Sequence, residues 1–171
     1  MTDAARFLPP EWAPQSALWC GWPRLADEWG GDFDGARSDI AAFVRAAAAF
    51  VPVKLAAGSD EAAQSARAAV GDLAEIVEVP TGDIWLRDTG PIITQGEGGH
   101  QAETFRFNGW GGKYLMPGDS ETAAAVAGIE GIRVRAHDIV LEGGAIDVDG
   151  EGRLLTTRQC LLNPNRNGDW T

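Results

Sequence analysis

The sequence contains few of the residues that cross-link small domains or bind metal ions in them. Among its 171 residues there are only two cysteines, Cys20 and Cys160, and two histidines, His100 and His137. Two cysteines in a chain of this size are no disulfide framework, and a reducing cytoplasm is the simplest compartment for them. The histidines are isolated, so the spacing of a zinc site is missing as well. We therefore expect a cytoplasmic protein without a metal site.

Positive charge and long apolar runs are also scarce. There are 14 lysines and arginines against 25 aspartates and glutamates, for a formal net charge of −11. Nucleic acid phosphates demand a basic surface, so this balance disfavours nucleic acid as a partner and is compatible with a small cationic substrate. The longest apolar run, residues 46–53, is too short to cross a membrane, and residues 1–6 do not resemble a signal peptide.

What remains is a globular composition with many turns. With 44% hydrophobic residues and 22 glycines, the chain can build one core from short elements. Apolar spacing and capping residues predict an α/β fold of a single region that begins with an extended arm over residues 1–35. The predicted strands are 17–22, 53–57, 75–79, 92–94, 104–107, 132–135, 139–141, 145–148 and 154–157, and the predicted helices run from Ser38 or Asp39 to before Pro52, from Ser59 or Asp60 to Val70, and from Ser120 to Ala127. Residues 160–167 are predicted to be irregular.

The stretch Asp83-Ile-Trp-Leu-Arg-Asp-Thr-Gly-Pro91 crowds charge between two apolar runs. Burying charge is costly unless the charge is paired or used, so a segment of this kind usually has a task. One interpretation is structural: an Asp–Arg pair holds a strand–turn–strand corner. The other is functional, because a planar guanidinium is well matched by a carboxylate and by an aromatic face beside it.

In the functional interpretation, Asp88 supplies the carboxylate and Trp85 the aromatic face. Strict strand alternation would put these two residues on opposite faces, so the hypothesis requires a bend between them. Arg87 would then be structural, pointing back to tie down Asp83 or the loop. The alternative is a buried ion pair with a core tryptophan.

Trp110 stands alone in the glycine-rich loop Asn108-Gly-Trp-Gly-Gly-Lys113. Glycines in such a loop allow the backbone to pass close to a neighbouring group. We therefore count Trp110 among the supporting residues of the candidate site, together with Asp83 and Arg87.

Two similar series of elements follow one another along the chain. Each reads as helix, strand, acidic corner and hairpin, and they fall in residues 36–100 and 101–171. The spacing from Asp88 to Glu142 equals that from Gly96 to Gly150. If the units are arranged in a ring, the two acids face one shared site. The alternative is coincidence in a chain rich in alanine and glycine.

Four segments, in order along the chain, carry a resemblance to a known family. They are Asp83-Ile-Trp-Leu-Arg-Asp-Thr-Gly-Pro91, Phe107-Asn-Gly-Trp-Gly-Gly-Lys113, Leu141-Glu-Gly-Gly-Ala-Ile-Asp-Val-Asp-Gly-Glu-Gly152, and Leu155-Thr-Thr with Cys160-Leu-Leu-Asn-Pro-Asn-Arg-Asn167. Together they resemble agmatine deiminase, which is related to the bacterial peptidylarginine deiminases within the guanidine-modifying pentein superfamily. The resemblance implies the pentein fold, an α/β propeller of ββαβ units, of which this chain would hold the N-terminal part, an incomplete ring of roughly half the units.

The resemblance implies hydrolysis of agmatine to N-carbamoylputrescine and ammonia, a step of putrescine and polyamine biosynthesis that uses no cofactor. A cysteine thiolate attacks the guanidinium carbon, and a histidine acts as general acid and base. By motif match, Asp88 is implied to bind the guanidinium, Trp85 to form a wall of the pocket, and Glu142 to orient or charge the histidine. The loop offers no basic side chain before Lys113 for a substrate carboxylate, which favours a dicationic substrate such as agmatine. The alternative is that Arg106 turns inward and supplies that basic group.

The chain departs from the family at the covalent chemistry. The family's histidine lies in a Gly-His-x-Asp motif and its nucleophilic cysteine near the C-terminus, and neither motif occurs in these 171 residues. His100 and His137 match no such motif, and Cys160 matches a cysteine that is not catalytic. We therefore expect the chain to be inactive alone and to need a second chain or a missing C-terminal half. The alternatives are a non-catalytic guanidine-binding or subunit-pairing module, and a purely structural α/β domain.

Overall fold

The computed structural model describes residues 5–168 and residue 170. The strands are β1 (Arg6–Phe7), β2 (Leu18–Gly21), β3 (Val53–Ala57), β4 (Glu75–Glu78), β5 (Ile92–Gly96), β6 (Gly99–Arg106), β7 (Arg133–Val140), β8 (Ile146–Val148) and β9 (Leu154–Thr156). The helices are α1 (Phe33–Ala47), α2 (Asp60–Val70), α3 (Leu86–Thr89), α4 (Gly109–Gly112), α5 (Thr122–Ile129), α6 (Arg158–Leu162) and α7 (Pro164–Asn167), with 3-10 turns at Ala26–Trp29, Gly71–Leu73 and Gly143–Ala145. Within the described part of the chain, no helix is both long enough and apolar enough to span a membrane.

The chain divides into two compact units. The three-stranded unit comprises Pro14–Leu86 and Met116–Asp119 and contains β2, β3 and β4. The four-stranded unit comprises the described residues before Pro14, Arg87–Leu115, and the described residues from Ser120 onward. It contains the sheet of β1, β5, β6 and β7 and the separate hairpin of β8 and β9.

The three strands of the three-stranded unit are parallel, with β3 in the centre. Each parallel connection needs a crossover, and α1 and α2 provide the two crossovers. Because both helices pack against this sheet, β3 is apolar along most of its length, and Leu55 and Ala57 are buried. Trp22 and Val44 join the same core, and the Trp22 indole N–H donates to the hydroxyl of Ser65 at 2.8 Å.

The four-stranded unit is built around the antiparallel pair of β5 and β6. β1 adds antiparallel to β5, and β7 adds parallel to β6 after the crossover helix α5. Ala102 of β6 and Ala127 of α5 are both buried, so the core of this unit lies between the sheet and α5. β7 ends with Val140 paired to Arg106, and from there the chain enters the corner that contains Glu142.

Two predicted elements form as the sequence indicated. β3 spans the predicted residues Val53–Ala57. α2 ends at Val70, and Ser59, one of its two predicted caps, accepts the backbone N–H of Ala62 at 3.2 Å. Both elements carry their signals locally, as a short apolar run and as a capping side chain.

The first helix begins nearly two turns earlier than predicted. α1 starts at Phe33, with Asp32 at the N-cap position, and not at Ser38 or Asp39. A Cβ on Gly35 would overlap the carboxylate of Asp32. Gly35 was expected to lie in a loop, but it lies in the first turn of α1, where its lack of a side chain leaves room for Asp32.

Two elements with little apolar periodicity were predicted wrongly. The predicted strands 132–135 and 139–141 are one strand, β7, which lies at a sheet edge where the polar residues His137 and Asp138 are tolerated. Of residues 160–167, predicted to be irregular, 160–162 lie in α6 and 164–167 in α7. The side chains of Thr157 and Asn163 cap these helices, so short-range hydrogen bonds replace the missing apolar pattern.

The two series of the repeat have the same order of elements in the structure. The first runs through α2, β4, the corner with Asp88, and the pair β5 and β6; the second runs through α5, β7, the corner with Glu142, and the pair β8 and β9. The predicted arm over 1–35 contributes β1 to one sheet and β2 to the other. Residues 1–4, 169 and 171 of the predicted segments lie outside the described residues. The bounds of the repeat units stay a prediction.

Replacing Ser59 with alanine should lower the free energy of unfolding by about 1 kcal/mol, because the first turn of α2 loses its side-chain acceptor. Urea unfolding followed by circular dichroism measures the change. Ser38→Ala is the matched control, since Ser38 is exposed within α1 and alanine is a better helix former. Equal losses in the two variants would contradict the assigned cap.

Candidate functional site

Asp88 lies in a short helical turn that precedes a strand. β4 ends at Glu78, and the single helical turn of α3 leads into β5. The four residues of α3, Leu86–Thr89, interrupt the extended chain between Trp85 and β5. Trp85 belongs to the three-stranded unit and is 56% exposed, whereas Asp88 belongs to the four-stranded unit and is half-buried. The role of Trp85 as a pocket wall stays a prediction.

The carboxylate of Asp88 accepts two hydrogen bonds from neutral groups. Its Oδ1 accepts the backbone N–H of Gly144 at 2.9 Å, and its Oδ2 accepts the indole N–H of Trp110 at 3.0 Å. Within residues 5–168, no cationic side chain forms an ion pair with this carboxylate. Each carboxylate oxygen has two lone-pair sites, so both oxygens can accept a further donor. Asp88 is thus an oriented carboxylate whose charge no neighbouring side chain neutralises.

Two glycines allow the corner of Glu142 to approach the corner of Asp88. A Cβ on Gly143 would overlap the carbonyl oxygen of Arg87, and a Cβ on Gly144 would overlap Oδ1 of Asp88. Both positions therefore need a residue without a side chain. The structure brings together the two acidic corners that the repeat singled out.

Glu142 has a different electrostatic environment from Asp88. It is 4% exposed, and its Oε1 accepts the Nε–H of Arg166 at 2.6 Å. Removing either partner of this buried ion pair would leave the other charge buried without compensation. Arg166 lies in α7, in the segment that was predicted to be irregular, and the sequence analysis did not single it out. The role of Glu142 toward a histidine stays a prediction; its ionic partner among the described residues is an arginine.

The residue after Arg166 fixes the chain that leads into the same corner. Asn167 accepts the backbone N–H of Val140 at 2.9 Å and donates to the carbonyl oxygen of Val140 at 2.8 Å. One side chain thereby satisfies both backbone groups at the end of β7. Arg166 and Asn167 together hold the Glu142 corner, and their sequence signal is the Asn-Pro-Asn-Arg-Asn run.

The glycine-rich loop that begins at Asn108 contains the short element α4, in which Trp110 and Gly111 do not have helical backbone angles, and it passes close to its neighbours, as its composition predicted. A Cβ on Gly111 would overlap the guanidinium of Arg166. The side chain of Asn108 accepts the backbone N–H of Gly111 at 2.8 Å and donates to the carbonyl oxygen of Asn165 at 2.9 Å. The loop that presents Trp110 to Asp88 is therefore anchored on the helix that contains Arg166.

Arg87 pairs with Glu11, which lies in the N-terminal Pro-Pro-Glu-Trp stretch. Both side chains are 58% exposed, and an exposed pair of this kind contributes little stability. The sequence predicted a structural role for Arg87 but not Glu11 as its partner. A tie from Arg87 to Asp83 stays a prediction.

Asp119, which the sequence analysis missed, holds the backbone around Asp83 within the three-stranded unit. Asp119 is 2% exposed, and its Oδ1 accepts the backbone N–H groups of Gly82 at 2.7 Å and of Asp83 at 3.0 Å. Asp83 in turn accepts the N–H of Ile84 at 2.7 Å. These hydrogen bonds fix the conformation of the segment that leads to Trp85. No sequence pattern links Asp119 to Gly82, because the partners are far apart along the chain.

His137 lies beside a carboxylate and an aromatic ring, and the thiol of Cys20 is partly buried. His137 Nε2 lies 2.6 Å from Oε2 of Glu103, and its ring stacks on Phe105 with 4.7 Å between centroids. Burial raises the pKa of the Cys20 thiol to about 11, so this thiol is protonated near neutral pH and is a poor nucleophile. In the part of the chain that the structure describes, no three or more His, Cys, Asp or Glu residues form a group able to hold a metal ion.

Together, the fold and the site define an α/β protein that presents an oriented, unneutralised carboxylate beside a buried glutamate–arginine pair. Over residues 7–171, the sequence matches the family described as Porphyromonas-type peptidyl-arginine deiminase. The chain belongs to this family.

Its curated relatives include agmatine deiminases. The agmatine deiminase of Stutzerimonas stutzeri (strain A1501) is 42% identical over 169 residues, which cover 94% of this chain and 46% of the relative. That of Pseudomonas aeruginosa (strain LESB58) is 39% identical over 168 residues, with 94% and 45% covered. The chain therefore spans about half the length of these curated relatives.

Solved structures show the same likeness. The agmatine deiminase of Enterococcus faecalis matches with a TM-score of 0.90 at 29% identity, and the match covers 97% of this chain and 47% of that one. The C. jejuni agmatine deiminase with substrate bound matches with a TM-score of 0.88 at 29% identity, covering 99% and 50%. The predicted α/β pentein fold and the predicted resemblance to agmatine deiminase are confirmed.

Arg166→Met should destabilise the chain by about 3–5 kcal/mol, because it leaves a buried Glu142 charge without its partner. Adding Glu142→Gln should recover part of the loss, since no buried charge then remains. Urea unfolding measures both variants.

The control for this prediction is Arg153→Met. The arginine side chain in the pair with Asp149 is 77% exposed, so its removal should lower stability by less than about 1 kcal/mol. If Arg166→Met lowers stability no more than this control does, the Glu142–Arg166 pair is not the buried interaction described above.

Proposed function

We propose that the chain forms the guanidinium-binding side of an agmatine deiminase-type active site. The observation that carries this proposal is the set of partners of the Asp88 carboxylate. Neutral donors orient its two oxygens, and no cationic side chain within residues 5–168 forms an ion pair with it. A planar guanidinium donates two parallel hydrogen bonds, which the remaining lone pairs of this carboxylate can accept. The names of the similar proteins support the same substrate class.

The proposed reaction is the hydrolysis of agmatine to N-carbamoylputrescine and ammonia, on the route to putrescine. A thiolate attacks the guanidinium carbon, ammonia leaves, and water hydrolyses the covalent intermediate. In this scheme Asp88 holds the guanidinium in one plane, so that its central carbon is presented to the nucleophile. Trp85 forms a wall of the pocket, and Glu142 orients the histidine that acts as general acid and base.

The nucleophilic cysteine and the histidine of this scheme have no motif match in the 171 residues. We propose that a further segment or a second chain supplies them, since the chain spans about half the length of its relatives. The net charge of −11 and the absence of a basic side chain in the loop before Lys113 favour agmatine over a substrate that carries a carboxylate. Two unpaired cysteines favour a cytoplasmic location.

A second candidate function is a guanidine-binding or subunit-pairing module without catalysis. The observation that favours it is the buried pair of Glu142 with Arg166, which already gives this acid an ionic partner. The two candidates share guanidinium binding at Asp88 and differ in whether turnover follows.

Asp88→Asn should weaken the binding of agmatine at least about tenfold, because the amide keeps the shape of the side chain but removes the charge that attracts a guanidinium. Isothermal titration calorimetry with the purified chain measures the dissociation constants. Asp138→Asn is the matched control, since the Asp138 side chain lies in the same unit and is 92% exposed. If the wild-type chain binds no agmatine, or binds it as well as Asp88→Asn does, the structural α/β domain becomes the better interpretation.

The 171-residue chain by itself should release no ammonia from agmatine, because the motifs for its covalent chemistry are missing. A coupled ammonia assay and mass spectrometry of N-carbamoylputrescine measure turnover. Adding a separately produced segment with a Gly-His-x-Asp motif and a late cysteine motif should produce turnover. Binding without turnover in that mixture favours the second function, and turnover by the chain alone shows that our assignment of the chemistry is wrong.

A further inference from the structure

We infer that Trp110 is a positioning residue: a strained loop holds it so that its indole N–H fixes the carboxylate plane of Asp88. The inference rests on the proposed function of Asp88 as the guanidinium acceptor. It assigns to Trp110 a task that packing alone does not explain.

The backbone of Trp110 is in the left-handed conformation, with φ 54° and ψ 45°. Among the described residues, it is the one position with positive φ that is not a glycine. The Cβ of a residue with a side chain is crowded by the backbone in this conformation, which is most unfavourable for a large side chain. Such conformations persist where the surroundings over-determine them, and they concentrate at functional sites.

Several restraints hold Trp110 in place. A Cβ on Gly109 would overlap the carbonyl oxygen of Tyr114, so the backbone can approach closely only because this position is glycine. The Asn108 side chain closes the turn on Gly111. The indole packs edge-on against Phe107, with 4.9 Å between ring centroids and 89° between ring planes. The loop therefore keeps the unfavourable backbone conformation and directs the indole to one place.

The indole N–H of Trp110 is directed at Oδ2 of Asp88. The indole N–H is a donor that cannot accept, so its hydrogen bond is retained only while the carboxylate oxygen faces it. With Gly144 donating to Oδ1 at 2.9 Å and Trp110 donating to Oδ2 at 3.0 Å, the carboxylate is fixed at two points and cannot rotate freely. Bidentate recognition of a guanidinium needs both oxygens in one defined plane. Fixing this plane before the ligand arrives reduces the entropy lost on binding.

Trp110→Phe separates positioning from packing, because phenylalanine keeps an aromatic ring in the loop and removes the N–H donor. The agmatine dissociation constant should rise about 5- to 20-fold by calorimetry, since the guanidinium must then order the carboxylate itself. Without ligand, the Gly144 amide should exchange its hydrogen about tenfold faster, because its acceptor is less well held. Trp12→Phe is the control, since Trp12 is 77% exposed in the same unit, and it should change neither value.

The agmatine dissociation constant tests the proposed function, and the exchange rate of the Gly144 amide tests the role of Trp110 without ligand. If the wild-type chain binds no agmatine, the proposed function is wrong, while the exchange of the Gly144 amide still decides whether Trp110 positions Asp88. If Trp110→Phe leaves both the dissociation constant and the amide exchange unchanged, Trp110 only fills space and the inference is overturned.

A second variant keeps the test decisive if Trp110→Phe does not fold. In Asp88→Ala, the indole N–H of Trp110 should exchange about tenfold faster than in the wild-type chain, because it has lost its acceptor. Unchanged exchange would show that the hydrogen bond to Asp88 does not hold the indole.

Discussion

The hydrogen bonds that Gly144 and Trp110 donate to the carboxylate of Asp88 are the interaction on which the candidate site depends. A carboxylate that leaves water needs donors, and a cationic partner would have neutralised its charge. Here both donors are neutral, so they orient the side chain without forming an ion pair with it. This arrangement explains why glycines stand at the Glu142 corner and why the loop around Trp110 accepts an unfavourable backbone conformation.

The two acids of the repeat, Asp88 and Glu142, have equivalent positions in the fold but different kinds of partner. Asp88 and Glu142 follow the same order of elements, and their corners are in contact within the four-stranded unit. Glu142 is buried against Arg166, whereas Asp88 has only neutral donors as partners in the described residues. The difference comes from α7 and from the loop of Trp110, which supply an arginine to one acid and an indole to the other.

The supports of the site form one connected network within the four-stranded unit. Arg166 and Asn167 hold the Glu142 corner, Asn165 anchors the loop of Trp110, and that loop and the corner both donate to Asp88. A substitution in the Asn-Pro-Asn-Arg-Asn run can therefore alter the position of the Asp88 carboxylate in two ways, through the Glu142 corner and through the loop of Trp110. Such coupling is expected for side chains that share hydrogen-bond partners.

The sequence by itself determined the elements and residues whose signals are local. The apolar run of β3 and the Ser59 cap of α2 could be predicted from neighbouring residues, and the two acidic corners from their equal positions in the two series of elements. Only the tertiary structure decided the partners: Arg166 for Glu142, Trp110 and Gly144 for Asp88, and Asp119 for the backbone at Asp83. Each of these hydrogen bonds joins residues far apart along the chain. Neither the apolar periodicity nor the capping residues predict which distant group donates to a given acceptor. The hydrogen-bond and ionic partners of the two acids were therefore set by packing, which brings such residues within hydrogen-bond distance, and not by the local pattern that identified the acids.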